Sequence, residues 1–66
     1  MKWLRMDEYV AEMLKARREK KRLFQKEAAS ICGVHIRTYQ GWEAGKYKPR
    51  ELAMEEVIRR MNDSKP

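Results

Sequence analysis

The chain has 66 residues, with sixteen Lys and Arg against ten Asp and Glu, a formal net charge of +6, and 42% hydrophobic residues. A chain this short buries only about 60% of its unfolded surface, which allows one core but not a core plus an enclosed substrate pocket, and so argues against an enzyme. The positive balance suits a polyanion, because each neutralised phosphate releases counterions, although solubility alone also favours a few units of net charge.

Cys32 is the single cysteine and His35 the single histidine, so neither an intramolecular disulfide nor a metal-ligand set is expected, and no cofactor is implied. No apolar run reaches the length of a signal-peptide core or a membrane span. The expectation is a protein of the reducing cytosol with no membrane partner.

Apolar residues recur at helical spacing along the chain, and no segment alternates for long enough to read as a strand. The first helix is predicted over residues 7–21 with Asp7 as N-cap, an inward face of Met6, Val10, Met13 and Leu14 (with Arg17 at its margin), and Glu8, Glu12, Lys15 and Glu19 opposite. The second covers residues 25–32 and turns Ala28, Ala29 and Cys32 inward; Gly33 ends it as a residue suited to the left-handed conformation. The third covers residues 36–44, where Tyr39 and Trp42, three apart, share a face, and Gly45 ends it. Pro49 lacks an N–H and biases Lys48 away from helix, so residues 46–49 are a loop. The fourth covers residues 50–62 with a stripe of Met54, Val57, Ile58 and Met61, and residues 63–66 form a polar tail. The reading is one all-α domain over residues 1–66, a compact bundle of about four helices.

Residues 25–44 carry the functional signal. Two short helices meet at a tight turn containing a glycine, which is helix-turn-helix geometry. Ala28 and Ala29 are small where two helices must cross closely, Gly33 makes the turn, and Val34, Tyr39 and Trp42 pin the second helix to the core. Its other face carries His35, Ile36, Arg37, Gln40, Gly41 and Ala44. It has no acidic residue, as a surface meeting phosphates and base edges requires.

The stretch from Arg18 to Pro49 resembles the lambda repressor/Cro-type helix-turn-helix family. The likeness rests on a Q-x-x-x-A opening (Gln25, Ala29), the turn glycine Gly33, and the W-E-x-G-K close from Trp42 to Lys46. The resemblance implies a helix laid in the major groove of double-stranded DNA. It gives base contacts to Ile36, Arg37 and Gly41, a phosphate contact to Gln25, and backbone contacts to Lys46, Lys48 and Arg50; Gln40 on the same outward face is a further candidate for a base contact, and Lys26, His35 and Thr38 are further candidates for phosphate or backbone contacts. It makes Arg18 and Glu43 a structural pair tying the first helix to the end of the third. In some relatives an arginine at the position of Arg50 also reaches toward the minor groove.

Three positions depart from the pattern. Phe24 stands where a Ser, Thr or Asn cap is usual, Arg22 where a glycine often ends the first helix, and a chain ending at Pro66 leaves no fifth helix to carry the dimer contact. Apolar residues without a core position, Trp3, Leu4 and Leu52, are then the candidates for a homodimer interface, with a fold-back of Trp3 and Leu4 over the bundle as the alternative.

Each assignment has a structural alternative. His35 serves either as an N-terminal turn residue or as a DNA contact. Arg37 suits guanine, whose O6 and N7 accept a guanidinium together; otherwise it is an ordinary solvated arginine. Ile36 gains a reason from a thymine methyl. Gly41 costs about 1 kcal/mol in a helix interior, which close approach to DNA would explain. Tyr47 either packs on a DNA sugar or covers the edge of the core. The run from Arg17 to Arg22 reads as a solvated helix end that complements the dipole, and Cys32 as a small core residue.

The function expected is that of a sequence-specific transcription regulator, a small phage- or bacterial-type autorepressor binding an inverted repeat as a homodimer, with no small-molecule ligand. The alternative is an antitoxin or other protein-interaction module with secondary DNA binding. An RNA-binding domain ranks below both, because the recognition face lacks the exposed aromatics that stack unpaired bases.

Overall fold

A computed structural model describes residues 5–63. It contains α1 (Met6–Lys20), α2 (Gln25–Cys32), α3 (Ile36–Glu43) and α4 (Glu51–Asp63), with no strand among the described residues. α1 packs on α3 and α4, and α2 packs on the same two helices, so all four enclose one core. Val10, Leu14, Ala28, Ala29, Cys32, Tyr39, Trp42, Val57 and Met61 form it, flanked by Ile31, Val34, Ile36 and Met54. The Tyr39 and Trp42 rings meet edge to face, with centroids 6.0 Å apart, a favoured aromatic geometry.

The first three helices end in the same way. In each, an N–H just past the helix bonds back to a carbonyl five residues earlier, in the last turn of the helix: Leu23 N to Arg18 O, Val34 N to Ala29 O and Lys46 N to Gly41 O, all 3.0 Å. A second bond three residues long accompanies each one: Arg22 to Glu19, Gly33 to Ser30 and Gly45 to Trp42. This is the Schellman pattern, which requires one left-handed residue per turn. Gly33 and Gly45 supply it with φ of 74°, but at the end of α1 it is Arg22, with φ of 56°, that adopts it. The missing glycine at this position is therefore a change of residue without a change of backbone.

Several sequence expectations shift. α1 starts at Met6 with Arg5 in the cap position and no side-chain cap; Asp7 lies inside the first turn, where its charge complements the helix dipole instead. Met6 is 61% exposed, and Ala11 joins Val10 and Leu14 as the buried face. α3 ends one residue earlier than expected, at Glu43 with Ala44 as its C-cap, α4 begins at Glu51, and Asp63 is helical rather than part of the tail. Leu23 and Pro49 are buried although neither sits in a periodic stripe. Leu23 is the hydrophobic residue that accompanies a Schellman turn. Burial pushes the Cys32 thiol up, against the opposing influence of Arg60, which keeps it a packed, unreactive group.

The basic run at the end of α1 is partly structural. Arg17 donates to the Asn62 side chain, and Lys21 Nζ donates to the Asn62 carbonyl at 2.9 Å. Two cations thus close the C-terminal end of α4 against α1, where a helix carries partial negative charge.

Candidate nucleic-acid interface

Phe24 has no acceptor with which to cap α2. The cap comes from the other direction: the Glu27 carboxylate accepts from the Phe24 N–H at 2.9 Å, leaving the Phe24 ring 78% exposed. α3 is capped by His35, whose Nδ1 accepts from the Arg37 N–H at 3.1 Å. The reading of His35 as a DNA contact therefore meets a structural duty: Nδ1 is engaged at the helix start, and only the Nε2 edge is left for a phosphate.

A chain of polar contacts runs from α1 to the outer face of α3. Arg18 grips Glu43 with two bonds, Nε to Oε2 at 2.7 Å and Nη2 to Oε1 at 3.1 Å, and its Nη1 donates to the Leu23 carbonyl at 3.0 Å. Gln25 Nε2 donates to Glu43 Oε1 at 3.2 Å, and Gln40 Nε2 donates to Gln25 Oε1 at 3.2 Å. The Arg18 and Glu43 side chains are only 15% and 5% exposed, so the pair works in a partly dehydrated setting, where electrostatic interactions are stronger than in water. Burial favours the neutral carboxyl of Glu43, but the bonds from Arg18, with help from Tyr39 and Gln25, outweigh it and hold the group below the usual glutamate range. Burial, then the adjacent Glu43, pushes the Tyr39 hydroxyl far above its usual value. That hydroxyl stays in the core without a well-formed hydrogen bond.

The outer face of α3 opens into a shallow groove lined by Arg37, Gln40, Gly41, Ala44, Lys46 and Tyr47. No carboxylate lines it. Arg37 and Gln40 are exposed, as are Lys26, Lys46 and Arg50 around it, while Gln25, Thr38 and Lys48 are half-buried. Two of the expected base-reading residues take other places. Ile36 is half-buried and packs against the core, so the first turn of α3 is anchored by the residue expected to reach a thymine methyl. Gly41 is buried: a Cβ built on it would stand 2.3 Å from Cζ and Oη of Tyr47 and 2.8 Å from Cε1. The glycine makes room for the Tyr47 ring, and direct approach of a base to Gly41 is blocked while the ring is there.

Residues 14–62 match the profile of the helix-turn-helix family. The chain belongs to the lambda repressor-type helix-turn-helix family. Its members are DNA-binding transcription regulators, and the match takes in the Arg18–Glu43 pair, both helices of the motif and most of α4. No curated protein and no solved structure matches the chain. No helix among the described residues is long and apolar enough to cross a membrane.

In this helix-turn-helix protein the candidate DNA face brings together Arg37, Gln40 and Lys46 in one groove, with Gln25 behind Gln40. Leu52 is 83% exposed on α4, and Trp3 and Leu4 lie outside the described residues. Sequence reading missed the seat of Tyr47 on Gly41, although a signal existed. A glycine on the outer face of a helix, followed four residues later by a turn glycine and then by an aromatic, lets the chain double back over the first glycine.

Proposed function

We propose that the protein is a sequence-specific repressor of the phage or bacterial type, which sets α3 in the major groove of double-stranded DNA and binds an inverted repeat as a homodimer. The observation that carries this reading is the hydrogen-bonded line Arg18–Glu43–Gln25–Gln40. It fixes the angle of α3 from behind and leaves Arg37, an Oε1 acceptor and one N–H on Gln40, and Lys46 facing outward over a surface without carboxylates. Arg37 reads guanine through O6 and N7, and Gln40 reads a neighbouring base edge. Gln25, Lys26, Thr38, Lys46, Lys48, Arg50 and the free edge of His35 take phosphates. Exposed Leu52 on α4, with Trp3 and Leu4, supplies the self-complementary apolar contact that a twofold dimer needs. Repression follows from occupancy, since so small a surface can exclude polymerase without a further placed contact.

Selection of bound duplexes from a random pool, followed by sedimentation of wild type and Leu52→Ala on the selected operator, tests the reading. Two half-sites about one helical turn apart, bound cooperatively by wild type and less so by the variant, are expected. Equal binding to random duplex, single-stranded DNA and RNA at every salt concentration would overturn it.

A further inference from the structure

Gly41 lies one helical turn after Arg37, so the two residues share the outer face of α3. A helix that reads DNA from this face has no side chain of its own at residue 41. The position is nevertheless filled. The phenol end of Tyr47 occupies the space a Cβ would take, with Cζ and Oη 2.3 Å from it. Two features of the backbone deliver the ring there. Gly45, with φ of 74°, reverses the chain at the end of α3, and the Lys46 N–H bonds to the carbonyl of Gly41 itself at 3.0 Å. The tip of the ring lies over Gly41, yet Tyr47 remains 46% exposed and lines the groove beside Arg37, Gln40 and Ala44.

We infer that Tyr47 is a specificity-determining residue that reads DNA in place of residue 41, presenting its ring carbons to the C5-methyl group of a thymine in each half-site. The inference rests on the proposed placement of α3 in the major groove. The methyl group is the apolar feature of the major groove. The tip of the ring, with its hydroxyl, is turned onto the helix, which leaves ring carbon rather than the polar end for the base. Contacts to phosphates position a protein and carry no sequence information directly, whereas this loop residue contributes to the base-reading surface.

Random-pool selection with wild type, Tyr47→Ala and Tyr47→Phe, followed by titration of the wild-type operator with uracil substituted for thymine one position at a time, tests it. Wild type should lose about fourfold in affinity when a single contacted thymine in one half-site loses its methyl, the worth of one buried methyl group. Tyr47→Phe should keep that fourfold ratio, and Tyr47→Ala should bring it to one while retaining the guanine preference assigned to Arg37. Gly41→Ala serves as a second variant that keeps the tyrosine but displaces it from its seat, and it should also abolish the ratio; helical content and Tm report whether each variant folds. A fourfold ratio that persists in Tyr47→Ala or Gly41→Ala overturns the inference, as does a ratio lost in Tyr47→Phe, which would make the hydroxyl the reader. If wild type selects no sequence at all, the reading of α3 as a recognition helix fails, and this inference with it. A clear operator whose preferences are unchanged in Tyr47→Ala overturns the role of Tyr47 alone.

Discussion

Removing the Glu43 charge should be among the most damaging single changes available to this protein. In Glu43→Gln the Arg18 guanidinium stays in place, 15% exposed, without the carboxylate that takes two of its hydrogen bonds at 2.7 and 3.1 Å. Breaking a buried pair from one side costs about 3–5 kcal/mol, because the remaining charge is uncompensated. Arg18 keeps its bond to the Leu23 carbonyl at 3.0 Å and has a path to solvent, so the expected loss is at the lower end, about 3 kcal/mol. A domain of this size has a total stability of about 3–10 kcal/mol, so the variant should melt far below wild type. Arg18→Met with Glu43→Leu in one chain removes both charges and should recover much of the loss, since apolar replacement of a buried pair is often neutral or better. Urea unfolding of wild type, Arg18→Met, Glu43→Leu and the double variant, a complete double-mutant cycle, gives the coupling directly. A coupling below about 1 kcal/mol, the range of exposed surface pairs, would refute the argument that burial makes this pair strong.

Three further outcomes follow from the same geometry. Glu43 holds its proton less readily folded than unfolded, so its contribution to stability is complete above the ordinary glutamate value of about 4.3 and disappears as pH falls through the lower folded value. Exposed Glu56, lowered chiefly by its bond to Arg60, acts in the same direction; Tm against pH should therefore fall on acidification, and the fall should be shallower in Glu43→Gln. Arg22→Gly should raise stability by about 0.5–1 kcal/mol in urea unfolding, as relief of a left-handed residue costing about 1–2 kcal/mol exceeds the added freedom of the unfolded chain, about 0.4–1 kcal/mol; an unchanged midpoint would show that Arg22 bears no strain. Arg37→Ala should cost roughly 1–3 kcal/mol on the operator and relax the preference at one base pair per half-site, and equal weakening on random duplex would reduce Arg37 to a phosphate contact.

The motif was legible because its constraints are local. Ala28, Ala29, Gly33, Tyr39 and Trp42 have roles that follow from spacing and size alone, and the structure places all but Gly33 in the core and Gly33 in the left-handed turn. What spacing could not give was the choice between neighbours on a face. Ala11 displaces Met6 from the inward side of α1, because which small residue lets two helices approach is decided by the partner helix and not by periodicity. Ile36 packs on the core for the same reason: at the first turn of a short helix the inner and outer faces are separated by a single residue. The grip of Arg17 and Lys21 on Asn62 joins residues more than forty apart in sequence, and helical patterns in the two segments do not contain it.

The positions where this chain breaks local rules divide into two kinds. Arg22 in a left-handed turn and Phe24 at a helix cap lie two residues apart in the α1–α2 connection, and each has a compensation within reach: the Schellman bonds to Arg18 and Glu19 for the first, the Glu27 carboxylate for the second. Neither changes the outward face of α3. Gly41 is different. A glycine inside an eight-residue helix sacrifices about 1 kcal/mol of helix propensity, and its compensation comes from outside the helix, in the ring of Tyr47. Had packing alone been at stake, an alanine at residue 41 would have given a better helix with no need for the ring. Violations of local consistency are expected where function is served, and the one on the recognition helix is also the one that brings an aromatic side chain onto the surface proposed to meet DNA. The pair Gly41 and Tyr47 is thus better understood as one reading element divided between a helix and its following loop than as a tolerated glycine beside an incidental tyrosine.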